Sequence, residues 1–323
     1  MISLGIEGTA HTLGIGIVSE ECVLSNVTDS YCSDGGIHPR KAADHHANAI
    51  GNVMKKSLSE AGIKKDEVDL ISFSMGPGLG PCLRIVASAA RSLSINLNVP
   101  IIGVNHCVAH VEIGRFTTGA KDPVTLYVSG GNTQILAYAE GKYRVFGETL
   151  DVGIGNMQDT FSRELGIGFP CGKQIDNLSN KGRNYLQLPY TIKGMDFSFS
   201  GLLTESIKKL KTNSQEDVTF SLMETAYSLV VEASERAMSH TEKNELLLTG
   251  GVASSKRLKE MCSTMCVERD ATLFVPPPAL CRDNGAMIAY QGLLEYSNGK
   301  RMGIEDTIIK QKWRTDEVEV NWV

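Results

Sequence analysis

Residues 2–28 read ISLGIEGTAHTLGIGIVSEECVLSNVT, and residues 124–150 read VTLYVSGGNTQILAYAEGKYRVFGETL. In each stretch an apolar run ends in a small-residue turn, a second apolar run follows, and a short polar break leads to a third. The turns are Gly5-Ile6-Glu7-Gly8-Thr9 and Ser129-Gly130-Gly131-Asn132-Thr133. This is the pattern of strand, glycine turn, strand, turn and strand, and it occurs twice. The repeat predicts two related lobes whose glycine turns face each other across a cleft.

The glycine turns predict that a nucleotide is held between the lobes. Glycine lets the backbone approach a phosphate closely, and consecutive N–H groups form an anion cradle. A third turn, Gly250-Gly251-Val252-Ala253-Ser254-Ser255, follows the apolar run ELLLT and precedes a helix, where α/β enzymes hold a ribose or base. The loop 76–80 is not a Walker motif, because it lacks the Gly-Lys-Ser/Thr ending.

The composition is that of a globular enzyme. The 323 residues are 42% hydrophobic and 21% charged, which suits about two domains with large cores. The sequence shows no membrane-length apolar run and no signal peptide. The eight cysteines are scattered without a CxxC pair and predict buried thiols in a reducing cytoplasm. Because the net charge is −5, any RNA substrate would need help from a partner surface.

The rest of the chain extends the repeat into two α/β domains. The pattern predicts an N-terminal lobe over residues 1–121 and a C-terminal lobe over residues 122–296, with the polar tail 297–323 packing back on the first. An insertion at about 166–200 is rich in Gly, Pro and Asn, and long irregular insertions are more often functional than idle. The last helix is predicted to start near Asp283.

A second chemical signal is the pair His106 and His110. Two histidines four residues apart lie on one face of a helix, close enough to bind one metal ion. The pair begins the helix after a buried strand, and Asp283 begins the last helix of the second lobe in the same way. Tyr127, on the strand before the second glycine turn, could reach the same point. Two histidines and one aspartate would leave open positions for substrate oxygens, as catalytic metals require.

Asp44-His45-His46 is the rival metal cluster. Adjacent residues on a helix point about 100° apart, so His45 and His46 do not easily share an ion. We interpret them as ordinary helix-face residues, one of them bonding across the lobes.

Taken together, these motifs resemble a known family, the universal tRNA N6-adenosine threonylcarbamoyltransferases (TsaD family), and most closely its archaeal and eukaryotic branch, which works in the KEOPS complex. The resemblance runs almost from end to end. The matching segments are GIEGTAHTLGIGIV, GGIHPRKAADHH, GPGLGPCLR, NHCVAH, YVSGGNTQ, ETLDVGIGNMQDTFSRELG, KGMDFSFSGLL, LLLTGGVASSKRL, CRDNGAMIAY and WRTDEVEVNW.

The resemblance implies a two-lobe actin/hexokinase/Hsp70-like (ASKHA) fold with a duplicated βββαβα core. It implies that one divalent metal per subunit, iron or zinc, is bound by His106, His110, Tyr127 and Asp283, with Glu7, His106 and His110 in catalysis. Glu7 would steer the adenine amine or hold a proton. The nucleotide, ATP or threonylcarbamoyl-AMP with or without magnesium, would contact the positions Tyr127, Val128, Ser129, Gly130, Gly131, Asn132, Asp159, Gly172, Asp176, Gly250, Gly251 and Ser255.

Three positions depart from the family pattern. Asp176 stands where the archaeal branch usually has Glu, Ser255 where many relatives have Asn, and Cys171 where glycine is usual. These differences bear on the affinity for the nucleotide rather than on the reaction.

The reaction implied by the resemblance is acyl transfer. The threonylcarbamoyl group passes from threonylcarbamoyl-AMP, supplied by a separate synthase, to N6 of the adenosine 3′ of the anticodon (position 37) in tRNAs that read codons starting with A, and AMP is released. The implied partners are a small kinase/ATPase subunit and small accessory subunits of the KEOPS complex. The expected setting is the cytoplasm, with no membrane, and we expect the chain alone to bind tRNA weakly.

Two other functions fit parts of the sequence. A sugar or acetate kinase could share the fold, but it would normally carry Asp in the first turn, where this chain has Glu7, and it needs no HxxxH metal pair. A regulatory scaffold would be expected to have damaged metal ligands, and all of them are present. A protease is not supported, since the chain has no HExxH motif.

Overall fold

The computed structural model describes residues 1–33 and 36–323. Gly35, the first glycine of the GGIHPRKAADHH segment, lies outside the described residues. The chain forms two five-stranded sheets, and both have the same strand topology. In each, three antiparallel strands come first along the chain. A fourth strand then pairs in parallel with the first of them, and a fifth pairs in parallel with the fourth.

The first sheet has the order β3-β2-β1-β4-β5. Its strands and helices, in chain order, are β1 (Ser3–Glu7), β2 (Thr12–Val18), β3 (Val23–Ser30), α1 (Pro39–Ala61), β4 (Leu70–Gly76), α2 (Gly80–Leu97), β5 (Ile101–Asn105) and α3 (His106–Thr118). Helix α1 ends where Gly62 takes a left-handed conformation, and α2 ends at Asn98 in the same way.

The second sheet comprises β6 (Val124–Val128), β7 (Thr133–Ala139), β8 (Lys142–Glu148), β11 (Glu245–Thr249) and β12 (Thr272–Phe274). Its order, β12-β11-β6-β7-β8, repeats that of the first sheet. The duplicated βββ unit predicted from the sequence is therefore confirmed, strand by strand.

The segment between β8 and β11 is mostly helical. It contains α4 (Ile154–Glu164), α5 (Gly172–Ser179), the short hairpin β9 (Ile192–Lys193) and β10 (Asp196–Phe197), α6 (Ser200–Lys209) and α7 (Gln215–Thr241). The predicted insertion at 166–200 is thus not irregular throughout, because α5 and the hairpin lie inside it. After β11 come α8 (Lys256–Glu268), the short α9 (Pro278–Cys281) and α10 (Gly285–Ser297).

Helices α3 and α10 connect the two halves. Helix α10 follows the second sheet along the chain but packs on the first: a Cβ added at Gly5 would lie 2.2 Å from the backbone nitrogen of Ala289. Gly16 meets the backbone of Ala286 equally closely. The side chains of Val111 on α3 and Leu247 on β11 share one buried cluster. The division into lobes at residues 121/122 and 296/297 stays a prediction. Helix α10, which belongs to the predicted C-terminal lobe, packs against the N-terminal sheet.

The C-terminal tail runs over both sheets. The backbone nitrogen of Lys310 donates to Met75 O, and the backbone nitrogen of Val320 donates to Gly141 O, each at 2.8 Å. The Thr315 hydroxyl donates to the side-chain oxygen of Gln134 at 3.1 Å. Trp313 and Val320 are buried in the first-sheet core cluster. The tail is therefore an extended strap that contacts both sheets.

All eight cysteines in the described part of the chain are free thiols, and six are buried. No helix among the described residues combines the length and the apolar character needed to cross a membrane.

Candidate functional site

The predicted metal ligands come together at the start of α3 and α10. The side chain of Asn105 caps α3 by accepting from the backbone nitrogens of Cys107 and Val108. This places His106 in the first turn of α3 and His110 in the second. Asn284 caps α10 by accepting from Met287 N at 3.0 Å, and Asp283 stands directly before it. Each helix start therefore carries its ligands to the junction between the two sheets.

His106, His110 and Asp283 offer three donor atoms that lie within 4.8 Å of one another. The Nε2 atoms of His106 and His110 are 3.5 and 3.3 Å from Asp283 Oδ1. The imidazole side chain of His110 is fully buried, whereas 19% of the Asp283 side chain is exposed. The carboxylate is therefore the most exposed of the three side chains, since that of His106 is 6% exposed.

Tyr127 lies against this group. Its ring centroid is 5.0 Å from that of His110, and the residue is fully buried. Within residues 1–33 and 36–323, the Tyr127 hydroxyl and the His110 Nδ1 atom have no hydrogen-bond partner. Leaving a buried polar atom unpaired costs about 1–3 kcal/mol. Two such atoms beside a His-His-Asp group fit a site that binds a ligand or ion.

Glu7 supports His106 from behind. One carboxylate oxygen of Glu7 accepts from the backbone nitrogen and the hydroxyl of Thr9, at 2.7 and 2.6 Å. The other lies 3.0 Å from His106 Nδ1. A carboxylate that holds one imidazole nitrogen leaves the other nitrogen available as a metal ligand. Glu7 is fully buried and makes this supporting contact; its expected role in steering the adenine amine or holding a proton stays a prediction.

The charges in this group are strongly coupled. Burial alone would lower the pKa of His106, but the carboxylates of Glu7 and Asp283 outweigh it and raise the pKa to about 9. Burial lowers the pKa of His110 below its ordinary value. Burial would raise the pKa of Asp283, yet His106 and His110 hold it below its usual range. The two carboxylates thus favour a positive charge at the position between them.

The rival cluster on α1 does not resemble a metal site. His45 Nε2 pairs with Asp29 Oδ1 at 3.2 Å, and His46 Nε2 faces Ala10 O at 3.1 Å. Both contacts stay within the N-terminal sheet layer, so the interpretation that one histidine bonds across the lobes is wrong. Among the described residues, the single group of metal-binding side chains found is that of His106, His110 and Asp283.

The second glycine turn is closed by hydrogen bonds of its own serine. The backbone nitrogen and the hydroxyl of Ser129 donate to Asn132 O, and Asn132 N donates to the same hydroxyl. Gly130 and Gly131 are exposed, and a Cβ at Gly131 would meet nothing within 4 Å. Val128 closes the turn from below, since a Cβ at Gly250 would lie 2.2 Å from Val128 O. The second and third turns therefore meet at the end of β6.

The expected adenosine contacts fall into two bonded pairs. Cys171 Sγ donates to Asp159 Oδ1 at 3.0 Å, and the Ser255 hydroxyl donates to Asp176 Oδ1 at 3.2 Å. Burial raises the pKa of Asp159 and of Asp176. Gly172, at the start of α5, is exposed. Gly251 begins the short helical turn after Gly250. Two of the three residues that differ from the family pattern, Asp176 and Ser255, are thus in direct contact.

Two contacts had no clear signal in the sequence. His11, in the turn after Glu7, packs edge-on against Phe169 of the insertion, with ring centroids 5.0 Å apart. The Cys171–Asp159 bond joins the residue directly before α5 to helix α4. A histidine in a hairpin turn and a cysteine in a Gly/Pro-rich loop both look like ordinary surface or packing residues until the chain is folded.

Comparison with known proteins gives consistent matches. A family model described as "TsaD: tRNA N6-adenosine threonylcarbamoyltransferase" matches residues 22–290. A tRNA N6-adenosine threonylcarbamoyltransferase of Thermococcus kodakarensis is 60% identical over 325 residues, covering all of both chains. A probable bifunctional tRNA threonylcarbamoyladenosine biosynthesis protein of Methanothermobacter thermautotrophicus is 53% identical over 326 residues, which cover all of this chain and 61% of that protein.

Solved structures support the fold assignment. HypF of T. kodakarensis superposes with a TM-score of 0.67 at 13% identity, over 95% of this chain and 49% of that one. A ROK hexokinase of Thermus thermophilus superposes with a TM-score of 0.50 at 15% identity, over 93% of this chain and 100% of that one. Together with the duplicated sheets, these matches confirm the expected actin/hexokinase-like (ASKHA) class. At such low identity they show the fold alone.

Proposed function

Because the chain belongs to the tRNA N6-adenosine threonylcarbamoyltransferase (TsaD) family, we propose that it moves the threonylcarbamoyl group from threonylcarbamoyl-AMP to the adenosine 3′ of the anticodon in tRNAs reading codons that start with A. The N6–carbamoyl bond forms, the bond from the carbamoyl carbon to the phosphate oxygen breaks, and AMP leaves with the electron pair. The amine proton passes to solvent. The observation that carries the proposal is the His106, His110 and Asp283 group beside the unpaired Tyr127 hydroxyl.

We assign a divalent metal, iron or zinc, to this group. Two imidazoles, a carboxylate and a phenol are a fitting donor set for either ion. When bound, such an ion polarises the carbamoyl carbonyl and stabilises the negative charge that develops in the transition state. Glu7 holds His106 in the orientation that presents Nε2, and burial keeps bulk water away from His110.

We assign the adenylate to the two glycine turns and the Asp159 and Asp176 pairs. The exposed backbone of Gly130 and Gly131 suits the phosphate, because consecutive amide groups form an anion cradle. Asp159 and Asp176 are half-buried acceptors that suit the ribose hydroxyls. The phosphate would then lie between the adenosine contacts and the metal ligands, in the order that the chemical connectivity of threonylcarbamoyl-AMP requires.

We assign presentation of the tRNA to partner subunits: a small kinase/ATPase and the small accessory subunits of a KEOPS-type complex, in the cytoplasm, with a separate synthase supplying threonylcarbamoyl-AMP. The net charge of −5 supports this, because proteins that bind nucleic acid alone are usually basic. We expect weak, salt-sensitive binding of tRNA by this chain alone. Nanomolar binding at physiological salt without partners would contradict it.

The test of the proposed function is the identity of the product. Wild type, Asp283→Asn and the control Asp270→Asn, an exposed aspartate distant from the site in sequence, would be incubated with threonylcarbamoyl-AMP, tRNA and partner subunits. The tRNA would then be digested to nucleosides and examined by mass spectrometry. We expect threonylcarbamoyladenosine from wild type and the control, and a loss of about 10²-fold or more in Asp283→Asn. Unmodified adenosine from wild type would reject the proposal.

A further inference from the structure

His11 lies where the two halves of the chain meet, and the proposed reaction does not yet use it. It follows β1 by four residues, and its carbonyl oxygen accepts from Tyr31 N at 2.9 Å, which fixes the backbone of the turn. Its ring meets Phe169 edge-on at 5.0 Å. Phe169 belongs to the insertion of the second half of the chain, so the ring of His11 reaches across the cleft.

The Nδ1 atom of His11 is buried and has no hydrogen-bond partner within residues 1–33 and 36–323. Packing against Phe169 does not require a nitrogen, and an apolar ring would make the same edge contact without an unpaired polar atom. An unsatisfied buried nitrogen costs about 1–3 kcal/mol. A nitrogen kept at this cost at the edge of a cleft suits a hydrogen bond to a ligand.

The surroundings of His11 say which part of a ligand it would meet. Phe169, which the His11 ring contacts, stands two residues before Cys171, whose Sγ donates to Asp159 Oδ1 at 3.0 Å. Burial raises the pKa of Asp159, and His11 offsets part of that rise. Burial, His106 and His110 have the largest effects on the pKa of Asp283. His11 makes a smaller contribution, which lowers that pKa. His11 therefore lies near the proposed ribose contact, and it follows Glu7, the carboxylate beside the proposed metal ligand His106, by four residues.

We propose that His11 donates a hydrogen bond from Nδ1 to the phosphate of the adenylate, and that it thereby stabilises the leaving AMP. This rests on the proposed function, because in threonylcarbamoyl-AMP the phosphate is the group that joins the adenosine to the carbamoyl carbon. When the carbon–oxygen bond breaks, the electron pair stays on the phosphate, and a donor already aimed at it strengthens its contact as charge develops. No proton is transferred to or from His11 in this step.

The experiment compares AMP with adenosine, which differ only in the phosphate. Binding of each to the full chain would be measured by isothermal titration calorimetry for wild type, His11→Ala, His11→Phe, His11→Asn and the exposed control His240→Ala. His11→Phe keeps an aromatic edge against Phe169 without the nitrogen. His11→Asn keeps a short amide donor near the position of Nδ1.

We expect His11→Ala and His11→Phe to weaken AMP binding 5- to 20-fold. This corresponds to about 1–2 kcal/mol, the loss of a charge-assisted hydrogen bond. Adenosine binding should change less than about 2-fold. His11→Asn should stay within about 3-fold of wild type for AMP. The transfer rate should fall in the same order, with His240→Ala unchanged.

Two results would overturn the inference. Equal losses for AMP and adenosine would mean that His11 only shapes the cleft, and unchanged AMP binding in His11→Phe would mean that the nitrogen makes no contact. If wild type binds AMP no tighter than adenosine, the inference fails while the transferase proposal stands. If wild type transfers threonylcarbamoyl to no tRNA, the proposed function fails at its own test, whatever the AMP binding shows.

Discussion

The β1–β2 turn (residues 8–11) and the β6–β7 turn (Ser129–Asn132) occupy equivalent places in the two sheets, yet they are built in opposite ways. The first is closed by the carboxylate of Glu7, which is fully buried and bonded to Thr9 and His106. The second is closed by the hydroxyl of Ser129 and leaves its two glycines exposed. The two equivalent turns therefore differ: one supports a side chain of the His-His-Asp group that could hold a metal, and the other leaves its two glycines exposed.

The strongest way to test this contrast is Glu7→Gln. The amide of Gln has one acceptor oxygen, whereas the carboxylate of Glu has two. The amide therefore cannot accept hydrogen bonds from both Thr9 and His106 Nδ1, and the imidazole loses its orientation. We expect metal affinity to fall about 10- to 100-fold, as for other supporting carboxylates, with transfer falling in parallel. Metal affinity would be measured by competition with a chelator of known affinity.

The matched control is Asn132→Ala in the second turn. It should leave metal affinity within about 2-fold, because Asn132 touches the α3 helix only through a long contact to Cys107 Sγ. Equal losses of metal in both variants would erase the proposed difference between the turns.

A second prediction concerns the space around the glycines. A Cβ at Gly8 would lie 2.5 Å from Val86 Cγ2, whereas one at Gly131 would meet nothing within 4 Å. We expect Gly8→Ala to lower the free energy of unfolding by about 1–3 kcal/mol and Gly131→Ala to change it by less than about 0.5 kcal/mol. Urea unfolding curves of the two variants check this, and a reversed order would show that the first turn is the looser one.

A third prediction uses pH to probe the support of the first turn. Burial lowers the pKa of His46, which faces Ala10 O, to about 4. Because the unfolded chain binds this proton at about 6.5 and the folded chain only at about 4, stability falls as the pH drops between these values. We expect the loss of unfolding free energy between these two pH values to be smaller in His46→Gln than in wild type, by on the order of 1 kcal/mol. Identical pH dependences of the two unfolding free energies would rule out the buried neutral form.

The smallest effects are expected from removing single hydroxyls. Ser129→Ala opens the second turn and should weaken AMP binding by about 2- to 5-fold, in keeping with the loss of one or two neutral hydrogen bonds. Thr9→Ala should leave AMP binding unchanged and weaken metal binding slightly through Glu7. Titration calorimetry would measure the affinity of each variant for AMP and for the metal. Weaker AMP binding in Thr9→Ala together with weaker metal binding in Ser129→Ala would contradict the assignment of roles.

Much of the fold follows from local sequence pattern. The duplicated strands, the helix start at His106 and the helix start near Asp283 were predictable, because apolar periodicity and capping residues act over a few positions. Helix α5 was not, since eight residues beginning with Gly172 carry too short a pattern. The crossing of α10 onto the first sheet was not predicted either: it depends on Gly5 and Gly16 meeting helix backbone, and a glycine in a strand does not reveal its partner.

The site shows the same limit. His106, His110 and Asp283 could be grouped from their positions at helix starts, and the structure brings them together. The roles of Glu7 and His11 could not be separated by sequence, because both stand in one short turn. Folding buries the carboxylate against His106 and directs the imidazole toward Phe169.

The most direct measurement of the central claim is single-turnover transfer of labelled threonylcarbamoyl from the adenylate to tRNA, with partner subunits present. Wild type and His110→Ala would be compared as prepared, after chelation, and after iron or zinc is restored, with metal content measured in each sample. We predict that rate and metal content fall together, and that restored metal rescues wild type alone. Transfer at the wild-type rate by a His110→Ala protein without bound metal would contradict the account.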